Sequence, residues 1–75
     1  MYLMHESTIR QPNGIIEITV GIINDQENCK KYTYRIGSEY KARKFHNLYR
    51  KSRKLHGKAL AILNESNIKE AKDNA

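Results

Sequence analysis

The sequence has no tryptophan, one phenylalanine, one proline and one cysteine in 75 residues. A single thiol, Cys29, cannot close an internal disulfide, and no charged segment followed by an apolar one opens the chain, so a reducing cytoplasm is the expected setting. No apolar run approaches the ~20 residues that span a bilayer. The glycines stand apart at 14, 21, 37 and 57, which excludes a glycine-rich phosphate loop. With so few large aromatics, Ile, Leu and the five Tyr must do the burying, at about 25 cal/mol per Å² of apolar area. A chain this short buries only about 60% of the surface its unfolded form exposes. The expected core is therefore thin, and a homodimer is one way to add the missing burial.

The three histidines, His5, His46 and His56, do not stand at i,i+3 or i,i+4 from one another or from Cys29, so no metal site and no cofactor is expected. His46 and His56 are expected at the edge of a helical apolar stripe, adding charge below about pH 6.5. Cys29 lacks the flanking motif of a catalytic nucleophile and reads as a buried strand residue. An enzyme is not expected.

What is present begins with Gln11-Pro12-Asn13-Gly14, where proline presets φ and Asn-Gly tolerates positive φ, a turn between two extended runs. The incoming run, Leu3 to Arg10, is expected to place Leu3, His5, Ser7 and Ile9 on one side. Its partner, Ile15 to Ile23, is rich in β-branched residues and puts Ile16, Ile18, Val20 and Ile22 on one buried face. After the polar cluster Asn24 to Asn28, the chain alternates again from Cys29 to Ile36. Tyr32, Tyr34 and Ile36 are expected inward, and Lys31, Thr33 and Arg35 outward. Tyr32 and Tyr34 could stack on unpaired bases, but core packing is the expected role.

Ser38 has the chemistry of a helix N-cap, with Glu39 in the first turn. A 100° rotation per residue then gathers Ala42, Phe45, Leu48, Tyr49, Ser52, Leu55, Ala59, Ile62 and Leu63 into one stripe. His56-Gly57 looks like a helix end although the stripe keeps its phase, so a kink or split near Gly57 reconciles the two. The expected fold is α+β: a three-stranded antiparallel β-meander packed against a C-terminal amphipathic basic helix. The domain is expected over residues 1–64, followed by a polar, frayed tail over 65–75.

The charge is unevenly placed. Of 14 Lys and Arg against 8 Asp and Glu, net +6, eight basic residues and only Glu39 among the acids lie between Gly37 and Lys58. That segment carries +7 and leaves −1 for the rest of the chain. Arg43, Lys44, Arg50, Lys51, Lys54 and Lys58 fall on the side of the helix away from Phe45, with Arg53 at the margin. Like charges at i,i+3 and i,i+4 repel by a few tenths of a kcal/mol each, and a face kept for solubility mixes both signs. Segregation of this kind points to an anionic partner. These seven residues are the candidate nucleic-acid-binding set, with Asn47 and the arginines as base-edge readers. The alternative from a different class is an interaction module or inhibitor docking its basic helix on an acidic protein surface. Membrane attachment is disfavoured, because the apolar stripe lacks tryptophan and is needed to cover the sheet.

Ser7-Thr8-Ile9, the strand Ile16-Glu17-Ile18-Thr19-Val20, Tyr32-Thr33-Tyr34, Gly57-Lys58 and Asn67-Ile68-Lys69 together resemble KTSC-type domains. These are small modules of some lysyl-tRNA synthetases and of many short bacterial and phage proteins. The resemblance implies a three-stranded meander with a helix and a link to nucleic-acid-associated proteins. It departs at the helix, where Ser52 stands five residues before Gly57. Leu55-His56-Gly57-Lys58-Ala59 followed by Leu63-Asn64 also resembles the end of AP2-type DNA-binding domains, although their arginine- and tryptophan-rich strands are missing. That kinship would move the contacts to Arg10, Lys31, Thr33 and Arg35.

Overall fold

A computed structural model of the protein describes residues 1–68. Three strands, β1 (Tyr2–Arg10), β2 (Ile16–Ile23) and β3 (Cys29–Ile36), form an antiparallel sheet in the order β1-β2-β3. Two helices follow, α1 (Glu39–Lys51) and α2 (His56–Ser66), joined by a single 3₁₀ turn at Arg53–Leu55. The fold is α+β with both helices on one face of the meander.

The first turn forms as its residues dictate. Gly14 N–H donates to the Gln11 carbonyl, the Asn13 side chain accepts from Ile15 N–H, and Gly14 sits at φ 88°, where only glycine is unstrained. In the second turn Asn24 Oδ1 accepts from both Gln26 and Asn28 N–H. On β2, Ile16, Ile18 and Val20 are buried, and with Leu3, Tyr34, Ile36, Ala42, Phe45, Ala59, Ile62 and Leu63 they make the core.

Strand β1 does not keep one parity. The register is His5 opposite Val20 but Ser7 opposite Thr19, a bulge at Glu6. The extra residue turns Thr8 and Arg10 to the helix side in place of Ser7 and Ile9, and Ile9 is exposed. Sequence alternation alone cannot show such an insertion.

The helices take their places from contacts with successive β1 residues. Glu39 receives two hydrogen bonds from Arg10, at 3.0 and 2.7 Å. His46 Nε2 lies 3.1 Å from Thr8 Oγ1, and Tyr49 Oη accepts from His5 N–H at 2.9 Å. Helix α1 thus runs along β1, opposite in direction. The chain then reverses, and His56 Nδ1 accepts from Leu3 N–H at 2.9 Å. Helix α2 ends beside β3, where Asn67 bridges Ile36, Asn67 Oδ1 accepts from Arg35 N–H and Ile68 N–H donates to the Arg35 carbonyl. It therefore crosses the sheet diagonally, from the Leu3 end of β1 to the Ile36 end of β3.

The reversal comes at Ser52, five residues before Gly57. Ser52 is extended (φ −169°, ψ 144°) and its hydroxyl accepts from Lys54 N–H. The apolar stripe kept helical phase through this point, so periodicity concealed the break. Ser38 caps α1 as expected, its hydroxyl accepting from Lys41 N–H at 3.2 Å. At the other end, α2 runs to Ser66 and residues 67 and 68 add to the β3 edge. Regular structure therefore extends past residue 64, with Asn67 Oδ1 accepting from the Arg35 N–H at the β3 edge. The remaining tail lies outside the described residues.

Candidate nucleic-acid interface

All seven sequence-predicted residues are exposed. Arg43 and Lys44 lie in the body of α1, Arg50 and Lys51 in its last turn, Arg53 and Lys54 in the 3₁₀ turn, and Lys58 in the first turn of α2. The break at Ser52 changes their arrangement from a straight helical face to a corner. Arg50, Lys51, Arg53, Lys54 and Lys58 surround the reversal between the two helices. Lys51 and Lys54 no longer stand one turn apart on a continuous helix, since Lys51 ends α1 and Lys54 lies in the 3₁₀ turn. Arg50 and Lys51 also meet the negative end of the α1 dipole, a favourable placement of about 0.3–1 kcal/mol.

The seven differ in their partners. Arg43 pairs with Glu39 at 3.7 Å, and the Arg53 guanidinium lies 4.2 Å from the centre of the Tyr2 ring. Lys44, Arg50, Lys51, Lys54 and Lys58 have no ion-pair partner among the described residues. Elsewhere most charges are matched: Arg10 with Glu39, Lys31 with Glu6, Arg35 with Glu17, Lys41 with Glu65. Lys30 is the exception on the sheet.

Glu39 is the segment's single acid and sits at the far end of α1, about 18 Å from Lys51 at 1.5 Å per residue. The hydrogen bond from Arg10 holds its carboxyl below the usual carboxylate range, with the charges of Arg10 and Arg43 acting in the same sense. The same pair holds Arg10 protonated, its hydrogen bond to Glu39 first and the charge second. Glu39 therefore neutralises the start of α1 and leaves the corner unopposed.

Asn47 is exposed on α1. The outward residues Lys31, Thr33 and Arg35 are engaged across the sheet, Thr33 with Thr19 at 2.9 Å and the two cations with Glu6 and Glu17.

The tyrosines part company. Tyr34 is 8% exposed and belongs to the core, as expected, and burial raises its phenol above the ordinary value. Tyr32 shares that face but is 44% exposed, because diagonal α2 does not reach its end of β3. Cys29, expected to be buried, is exposed; its Sγ would lie 2.9 Å from a Cβ placed on Gly21.

The histidines, unrelated by spacing, meet in space. Thr8 Oγ1 lies 2.7 Å from His5 Nε2 and 3.1 Å from His46 Nε2, while His56 is buried and stacks on Tyr49 at 4.8 Å. Burial, then the charges of His5, Arg10 and Arg50, hold the His46 imidazole below its usual value. His46 is half-buried at the edge of the stripe, as expected, whereas His56 lies in the core rather than at the edge. No group of three or more His, Cys, Asp or Glu suited to a metal ion occurs among the described residues, and none of the described helices is long and apolar enough to cross a membrane.

No family model, curated protein or solved structure matches the chain.

Proposed function

We propose that this protein is a small, non-enzymatic nucleic-acid-binding accessory or regulatory protein that grips phosphates with the corner between its two helices. The observation that carries this reading is the set of cations, Lys44, Arg50, Lys51, Lys54 and Lys58, that have no ion-pair partner among the described residues, where most of the other described cations have carboxylate partners. Arg43 and Arg53 assist at the margins. Exposed cations left unpaired keep their hydration, at the cost of a modest mutual repulsion, and attract a polyanion by releasing its condensed counterions. The outward sheet face supports the AP2-type arrangement less well, because its cations are spent on cross-strand pairs.

Fluorescence anisotropy against labelled duplex DNA, single-stranded DNA and RNA at several salt concentrations tests the proposal. Four to six phosphate contacts give a slope of log K against log salt of about −4 to −5 for duplex DNA. Lys51→Glu combined with Lys54→Glu should abolish binding while the variant remains folded. Equal binding by this variant removes the corner from the interface. Absence of binding by the parent at low salt leaves an acidic protein surface as the partner.

A further inference from the structure

The helices leave one quadrant of their own sheet face uncovered. Helix α1 covers the Arg10-to-His5 stretch of β1, and α2 runs from Leu3 to Ile36. The corner where β2 meets β3 near the second turn receives neither. There Ile22, Asn24, Asn28, Lys30 and Tyr32 line a depression of about 170 Å³. An enclosed space of about 150 Å³ accommodates one benzene ring; this depression is of that size but open to solvent, a platform against which a planar ring can lie.

We propose that this depression takes one unpaired nucleobase, stacked on Tyr32 with its phosphate held by Lys30, so that the protein prefers single-stranded nucleic acid. The chemistry of the lining fits that ligand. The Tyr32 ring is 44% exposed beside Ile22, giving an aromatic and aliphatic floor. Lys30 has no ion-pair partner among the described residues. Asn24 Oδ1 is committed to backbone N–H groups of the turn, which leaves its NH₂ and the Asn28 amide as groups able to read a base edge. Of the two acids in the adjoining turn, Asp25 pairs with the Met1 ammonium at 3.1 Å and Glu27 has no ion-pair partner among the described residues.

The site shares a row of the sheet with the strand residue that holds the start of α2. Leu3, Ile22 and Lys30 form one row across the three strands. His56, the first residue of α2, is bonded to Leu3 at the other end of that row. Two inter-strand spacings, about 10 Å, therefore separate the strand beside the corner from Lys30. A strand whose phosphates lie on the corner can place a neighbouring base on Tyr32.

This inference rests on the proposed phosphate-binding role, and the experiment separates the two. The parent, Tyr32→Ala, Tyr32→Phe and Lys51→Glu/Lys54→Glu are titrated with a single-stranded DNA oligomer, an RNA oligomer and a DNA duplex, with circular dichroism confirming folding. Loss of a base stack should weaken both single strands by about 10-fold or more for Tyr32→Ala. Duplex affinity should be unchanged and Tyr32→Phe should bind like the parent. Equal single-strand binding by Tyr32→Ala, or an equal loss on duplex and single strands, overturns the stacking site while leaving the corner in place. A parent that binds none of the three overturns both. Nuclear magnetic resonance titration with the nucleosides adenosine and uridine, which carry no phosphate for the corner to hold, adds an independent arm. Shifts centred on Tyr32, Ile22 and Asn28 are expected, and shifts elsewhere or none count against the site.

Discussion

Leu3 N–H donates a hydrogen bond to His56 Nδ1 at 2.9 Å, a buried contact between residues 53 apart in the sequence. Because Nδ1 accepts, the imidazole proton sits on Nε2, which donates to the Tyr49 carbonyl at 3.1 Å. One ring thereby closes two gaps, satisfying a backbone donor on the free edge of β1 and a carbonyl near the end of α1. Tyr49 Oη does the same for His5 N–H, so the strand edge that could template aggregation is occupied by side chains.

His56→Ala should destabilise the protein by about 2–4 kcal/mol. Leaving a buried donor unmatched costs about 1–3 kcal/mol, and the stack on Tyr49 contributes about 0.5–1.5 kcal/mol more. Urea unfolding measures the loss. Nitrogen-15 spectra of the parent should show the Nε2–H tautomer, and an Nδ1–H tautomer would remove the Leu3 bond from the account.

Stability should fall on acidification through the histidine range. Burial first, with the charges of His5, Arg10 and Arg50 and against that of Glu39, lowers the His46 value in the folded state. The unfolded chain takes up this proton at about pH 6.5, before the folded protein does. The His46 contribution is therefore complete above about pH 6.5, is lost as pH falls from there to the folded value, and changes no further below it. The urea midpoint at pH 5.5 should lie below that at pH 7.5, and His46→Phe should reduce the difference. An unchanged or higher midpoint at pH 5.5 contradicts the assignment.

Ser52→Ala should cost about 1 kcal/mol, the usual loss for removing a capping hydroxyl, because Ser52 Oγ accepts from Lys54 N–H at 3.1 Å. Ser52→Asp retains an acceptor and should melt near the parent. Equal losses in both variants would place the effect in packing rather than in the cap.

Asn67→Ala removes the acceptor for Arg35 N–H at 2.8 Å and should cost about 1 kcal/mol. The sharper reading is hydrogen exchange, which should accelerate at the Arg35 amide and leave the β1–β2 amides unchanged.

The sequence by itself determined what depends on near neighbours. The Pro12-Asn13-Gly14 turn follows from local φ preferences, the buried row Ile16-Ile18-Val20 from two-residue alternation, and the start of α1 from the Ser38 hydroxyl. The segregation of charge between Gly37 and Lys58 is likewise a property of the chain. Tertiary structure decided what depends on distant partners. One extra residue at Glu6 turned Thr8 and Arg10 inward, and alternation carries no mark of an insertion until a partner strand sets the register. The break fell at Ser52 because His56 must reach Leu3 and Asn67 must reach β3, although the stripe's phase would have allowed a straight helix. That diagonal return sealed Tyr34 and left Tyr32 open. Two tyrosines on the same face of β3, opposite Val20 and Ile18, acquired different environments because one helix crosses one of them and not the other.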